Sequence, residues 1–426
     1  MKRAYINGII LDGTKYMKPR KNLIVLTNDD KIEKIVPAGT DFFGYEEVNL
    51  KGQYLMPGLV NMHIHLPSEG KASMKQHDNV KLVNMVTKHK LFMDVLQKML
   101  EGFVKTEVLS GCTTVRTVGG VADIDSKIRD RVNAGEILGP RMLVANMAVS
   151  VPNGHMAGSL AYAAKDPDDA RHYVRTIAKD KPDLIKLMIT GGVLDATVKG
   201  EPGVLKMQPD VVRAACDEAH KLGLKVAAHV ESPEGVKVAL ENGVDSIEHG
   251  AQPDDEMINL FKDKGSCLIT TLTPAMPFAL FDQKISKISD VEKFNGKVVF
   301  EGIIECSKAC LKAGIPVGLG TDTGCPYATH YNMWRELNYF CKYCGVTPAF
   351  ALYTATLKNA ELAGISDITG SIEEGKCADF IVTRENPLDD IKVLRNLSMV
   401  VVKGKLIKDP KPKKMKKVDI ELDKFI

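Results

Sequence analysis

PGLVNMHIHLP, residues 57–67, is the stretch on which the fold turns. It is an apolar run that ends in His63 and His65, with only Ile64 between them. Alternate residues of a strand point to one face, so the two imidazoles aim at one spot. Neutral imidazoles converging on a point suit a transition metal. Taken alone, two ordinary core or surface histidines explain the pair equally well.

Seven further apolar runs follow this one: TTVRTVGG, RMLVANMAVS, LIKLMITGG, KVAAHV, DSIEHG, CLITTLTP and VGLGTDTG. Between them lie amphipathic or alanine-rich segments such as PDVVRAACDEAHKLG, PEGVKVALENG and DDEMINLFKDKG. Eight strands, each followed by a crossover, predict an α/β fold of the (β/α)₈ TIM-barrel type over residues 57–366. A doubly wound open sheet is the alternative; it would gather ligand contacts at one strand-order switch. The strand ends favour the barrel. Besides His63 and His65, the fourth strand carries Lys186, the fifth ends at His229, the sixth at His249 and the eighth at Asp322. In a barrel these ends ring one mouth, where this fold places its active sites. Such a set is poor core filling and a good metal site.

Residues 1–56 are short strands separated by turn chemistry at Asn7-Gly8, Asp12-Gly13 and Asn28-Asp29-Asp30. The same texture returns in GSIEEGKCADFIVT and MVVVKGKLI. Both ends therefore predict a small β-sandwich domain, residues 1–56 with 367–410, leaving 411–426 as a charged tail. The run KDPKPKKMKK (408–417) holds six Lys and one Asp, so the rest of a chain of net charge +3 is slightly acidic. Nothing in that balance calls for nucleic acid. No apolar run approaches the roughly 20 residues that cross a bilayer, and MKRAYINGII lacks a signal-peptide core. Nine unpatterned cysteines point to a reducing cytoplasm. Cys306/Cys310 and Cys341/Cys344 are expected to be buried small residues of helices rather than a structural zinc site.

PGLVNMHIH, TTVRTVGG, IKLMITGGV, VDSIEHG and GTDTG, with the closing GSIEEGKCADFIV, resemble the strand-end motifs of the amidohydrolase superfamily of metal-dependent hydrolases, almost from end to end. IKLMITGGV, with its lysine, resembles the binuclear carboxylated-lysine branch: imidazolonepropionase-like and Xaa-Pro dipeptidase-like enzymes, metal-dependent carboxypeptidases and ochratoxinase-type amidases. The resemblance implies a distorted barrel and two divalent metals, zinc in the first place. His63, His65 and Asp322 would hold one and His229 and His249 the other. Lys186, as a carbamate formed with CO₂, would bridge them. An ammonium has no lone pair, so the lysine must first become neutral, as burial near metals allows. A hydroxide bridging the metals would attack a small-molecule amide, with Asp322 as general base and then acid. The implied reaction is hydrolysis of a C–N bond in a dipeptide, N-acyl amino acid or related small amide. Many relatives are symmetric oligomers, so a homo-oligomer is implied.

Three residues are candidates for substrate contact. His155, in VPNGH, matches a histidine that the family carries in a Gly-Gly-His loop, here preceded by Asn153-Gly154. His330, in GCPYATHYN, sits where relatives often place a histidine near the pocket. Glu231 stands two residues after His229, where many relatives have Tyr or His. It could partner a metal ligand, attract an amine-bearing substrate, shuttle protons or face solvent. Arg116 and Arg175 are expected to pair structurally. Two other functions stay open: a mononuclear deaminase or cyclic-imide hydrolase with Glu231 as shuttle, and a non-catalytic metal-binding scaffold.

Overall fold

The computed structural model describes residues 1–75 and 77–426. Eight parallel strands occupy the expected runs: Leu59–Ile64, Cys112–Thr117, Arg141–Val144, Leu184–Met188, Lys225–Val230, Ser246–His249, Cys267–Thr270 and Val317–Leu319. The chain past the eighth strand returns to the first. Asp322 N–H donates to His63 O (2.8 Å), His65 N–H donates to Thr323 O (2.7 Å), and Ile64 and Thr323 form a parallel bridge. These bonds close the barrel.

The third strand is divided. Arg141–Val144 pairs with the second strand, while Ala148–Ser150 pairs with the fourth through Val149 and Leu187. Asn146 lies between them with φ 58°, a left-handed conformation that asparagine tolerates better than most residues. Its side chain is held on both sides, accepting from Ser126 N–H (3.0 Å) and donating to Ser126 Oγ (2.7 Å).

The crossover helices begin and end on local signals. Asp254 caps Asp255–Lys264 by accepting from Met257 N–H, and Gly265 ends it at φ 67°. Ser232 caps Pro233–Glu241, whose first residue is a proline that needs no N–H partner. Cys306 and Cys310 are buried on helix Asp290–Lys312, and Cys344 is buried at the end of Met333–Cys344. One departure concerns CLITTLTP, whose second half opens helix Leu272–Leu280 instead of prolonging the strand.

Both chain ends lie outside the barrel strands. One sheet is built from Lys2–Ile6, Leu23–Asn28, Lys31–Pro37 and Glu46–Asn49. A second joins Ile9–Ile10 and Tyr54–Pro57 to Phe380–Thr383, Met399–Val402 and Lys405–Lys408. Tyr5, Val25, Leu55, Phe380 and Val401, drawn from both sheets, share one apolar cluster.

The charged segment expected over 411–426 packs against the rest of the chain. Helix Lys416–Leu422 buries Val418 and Leu422, and Met415 N–H donates to Tyr331 OH (2.7 Å). Asp419 (3.0 Å) and Asp423 (2.5 Å) pair with the buried guanidinium of Arg335. The lysines dominated the charge count, but two apolar residues at helical spacing and two acids dock the segment. Among the described residues, no helix is long and apolar enough to cross a membrane.

Candidate metal centre

The six residues expected at the strand ends meet at one mouth of the barrel. His63, His65, Lys186, His229, His249 and Asp322 all line a single cavity. His63 Nε2 and His65 Nε2 lie 3.4 and 3.3 Å from Asp322 Oδ1. The rings of His63 and His249 are 4.9 Å apart, and those of His229 and His249 are 4.8 Å apart. The ligand atoms of His63, His249 and Asp322 lie within 4.8 Å of one another, as do those of His229, Glu231 and His249.

Close approach of the first and last strands is a glycine effect. A Cβ on Gly320 would meet His63 Cβ at 2.4 Å. His249 (φ 69°) and Asp322 (φ 49°) hold left-handed backbone without being glycines. Such strain persists where the surroundings over-determine it, and here it turns two donors into the cavity.

Each histidine has one ring nitrogen tied behind the site, which orients the ring and leaves the other for the cavity. His63 Nδ1 bonds Glu248 Oε2 (2.7 Å), and His65 Nδ1 bonds Gly119 O (2.8 Å). His249 Nδ1 meets Thr271 Oγ1 (2.6 Å), and His229 Nε2 bonds Gly191 O (3.2 Å). Behind His63 the support continues. Arg116 grips Glu248 with contacts of 2.7 and 2.8 Å and donates to Met62 O, while Ser246 Oγ donates to Glu248 (2.8 Å). Arg116 thus has the structural role expected of it, as does Arg175, which pairs with Glu218.

Burial pushes His229 and His249 well below the ordinary imidazole range, leaving them neutral and able to donate a lone pair. Burial alone would raise Asp322 and Glu248, yet both are held below the carboxylate range. His63 and His65 act on Asp322, and Arg116 and His63 on Glu248. Lys186 is wholly buried, and its Nζ has no hydrogen-bond partner. Burial lowers it to about 8, against the opposing pull of Glu248 and Asp322. A buried amine without a partner is expensive unless it is neutral or modified. The donors present therefore fit divalent metals, and the lysine fits a group that would share them.

The three candidates for substrate contact divide. His155 lines the cavity, stacked on His229 at 4.2 Å and 7°, with Nδ1 bonded to Asp195 Oδ2. Glu231 also lines it, with Oε2 shut from solvent and unpartnered. Burial and the charges of Asp322 and Asp195 raise this carboxyl to about 8. His330 is not brought to the cavity. Its Nδ1 is 3.0 Å from Glu107 and its Nε2 2.8 Å from Ser68 O, and its ring stacks on Phe103. Both nitrogens serve the packing of a loop.

Glu248, Thr271 and Asp195 were not singled out from the sequence. Glu248 lies within the quoted DSIEHG, but besides the nearby Ser246 its partners Arg116 and His63 are 132 and 185 positions away. No spacing rule reaches that far.

A closed parallel barrel with histidines, a lysine and an aspartate at its mouth is the frame of a metal-dependent hydrolase. The chain belongs to the amidohydrolase family, which its residues 54–407 match. It is similar to ochratoxinase of Aspergillus niger, 28% identical over 332 residues, covering 71% of this chain and 66% of that one. The chain thus spans just under two thirds of that relative's length. Among solved structures it resembles a candidate prolidase from Bifidobacterium longum, with TM-score 0.87, 34% identity and coverage of 99% and 98%. It also resembles a Xaa-Pro dipeptidase with bound methionine in its active site, with TM-score 0.82, 27% identity and coverage of 96% and 100%.

Proposed function

We propose that the protein is a metal-dependent hydrolase cleaving an amide C–N bond in a dipeptide, an N-acyl amino acid or a related small amide. The observation that carries this is Lys186, a buried, unpartnered amine ringed by four histidines and Asp322. As a neutral amine it can add to CO₂, forming an N–C bond and releasing a proton. The resulting carbamate has two oxygens to share between metals. His63, His65 and Asp322 would hold one ion, and His229 and His249 the second. Neutral imidazoles with carboxylate-type oxygens suit zinc. When bound, the metals supply Lewis-acid polarisation of the scissile carbonyl and a water acidified to near neutral pH.

Asp322 is the proton carrier. It is ionised at rest and reaches the cavity, so it accepts the proton of the attacking water and later delivers it to the leaving amine. His155, its ring fixed by Asp195, has Nε2 free to bond a substrate carbonyl or carboxylate. The division of labour extends to the fold: residues 57–366 form the catalytic barrel. Residues 1–56 with 367–410 form a β-sandwich, supported by the cluster their two sheets share.

Elemental analysis, paired with a screen of dipeptides and N-acyl amino acids, tests the proposal. About two metals per chain, lost in Lys186→Ala together with turnover, is the expected result. Metal-loaded protein that turns over no amide in the screen overturns it. A single-ion deaminase or cyclic-imide hydrolase is the second reading, because His63, His249 and Asp322 alone can gather one metal. One metal retained in Lys186→Ala would establish that instead.

A further inference from the structure

We infer that the protein selects amides carrying a free amine on the carbon next to the scissile carbonyl, and that Glu231 recognises that amine. This rests on the amide-hydrolase reading above and narrows its substrate class from three kinds of amide to aminoacyl amides.

The first support is position. A Glu231 oxygen lies within 4.8 Å of the ligand atoms of both His229 and His249, so the carboxyl group is a neighbour of the reacting carbonyl. An amine one carbon from that carbonyl falls in its reach. Glu231 is also held in place. Its N–H donates to Thr190 Oγ1 (3.0 Å), and Gly203 packs so closely that a Cβ there would meet Glu231 C and O at 2.4 Å.

The second support is an unmet bond. Glu231 Oε2 is closed to solvent, lies on the cavity wall and has no donor. A buried acceptor left in that condition is costly, and the donor it lacks has to arrive with the ligand. The third is the charge of the walls. Among the described residues Lys186 is the only lysine or arginine lining the cavity, and the proposed reaction commits its nitrogen. An adjoining groove of about 620 Å³ shares Glu231 and Val299 with the cavity. It adds Glu201 and Glu234, has no lysine or arginine among the described residues, and offers Pro202 and Val298 as apolar wall. An apolar side chain beside an ammonium matches this lining, whereas an N-acyl cap would bring no positive charge to Glu231 Oε2.

The test compares dipeptides with their desamino counterparts, which differ only in the amine. Leucyl-alanine is set against 4-methylpentanoyl-alanine, and phenylalanyl-alanine against 3-phenylpropanoyl-alanine. The metal-loaded protein should show kcat/KM at least about tenfold higher for the amine-bearing member, the size of one charge-assisted hydrogen bond. In Glu231→Gln this ratio should fall toward one while the metal content stays at the wild-type level. Equal rates for both members, or a ratio that survives in Glu231→Gln, overturns the inference and leaves amide hydrolysis standing. Loss of a metal in Glu231→Gln overturns it too, by making Glu231 a third ligand beside His229 and His249. If neither these compounds nor any other amide turns over, the parent reading falls as well.

Discussion

The two halves of the centre are supported in different ways. Beside Asp322, His63 is braced by charge, with Glu248 holding His63, Arg116 holding Glu248 and Ser246 donating to Glu248, while His65 rests on the Gly119 carbonyl. Around His229 and His249 the braces are neutral, a backbone carbonyl and a threonine hydroxyl. The carboxylate on that side, Glu231, has an oxygen with no partner. One half is electrostatically complete before anything binds, and the other keeps capacity in reserve. The first is suited to retaining a metal, the second to meeting a substrate.

Losing the proton carrier of the first half, or the lysine that the two halves share, should have the largest effect. Asp322→Ala and Lys186→Ala should each lower kcat/KM by roughly 10²–10⁴-fold or more in protein incubated with excess zinc. Near-normal rates in metal-loaded Asp322→Ala would remove the aspartate from its proton-carrying role. Next comes the charged brace. Arg116→Met leaves Glu248 buried without its cation and should cost about 3–5 kcal/mol in urea unfolding.

The same brace predicts a pH dependence. Arg116 and His63 hold the folded Glu248 carboxyl below its ordinary value despite burial, so the unfolded chain binds that proton more tightly. Its contribution is present in full above the unfolded pKa of about 4.3 and fades as the pH falls below it. The urea midpoint of Glu248→Gln should accordingly change less than that of wild type as the pH is taken from 7 to 4. A parallel change in the two proteins would show that Glu248 carries no such linkage.

The neutral brace should matter less. Thr271→Val frees His249 Nδ1, and its effect should appear as about 10–100-fold weaker metal binding in chelator competition, with little change in unfolding. Smallest of all should be Asp195→Asn, which loosens His155 and touches the Gly192 N–H that shares Asp195 Oδ2. A change of roughly fivefold in kcat/KM, with metal content unaltered, is the expected size. A Thr271→Val enzyme that binds metal normally, or an Asp195→Asn enzyme that loses it, would break the contrast between the two halves.

The legibility of the molecule follows the range of the interactions. The barrel could be read from the order of apolar runs, because every parallel strand needs burial on both faces. The candidate metal donors could be read because they lie on barrel strands or just beyond them, and the strand ends share one mouth. His330 misled because it lies only eight residues past Asp322. Nearness in sequence does not show which way a loop side chain turns, and this one turns toward Glu107 and Ser68. Glu248 escaped notice for the opposite reason: its neighbour His249 was plain, but its charged partner Arg116 and the histidine it holds, His63, are distant. In the tail, the lysines hid the two apolar residues and two acids that dock it against Arg335.

Barrel closure between the first and last strands also sets a schedule for biosynthesis. His65 and Asp322 are 257 positions apart, and the strand Tyr54–Pro57 waits still longer for Phe380–Thr383. At synthesis rates of about 5–20 residues per second, roughly 13–50 s pass between emergence of the two donors. During that interval the strand that carries His63 and leads into His65 has one edge without its native neighbour, and the pair has no aspartate. A nascent chain halted before residue 322 should therefore hold zinc weakly and expose an apolar sheet edge to chaperones.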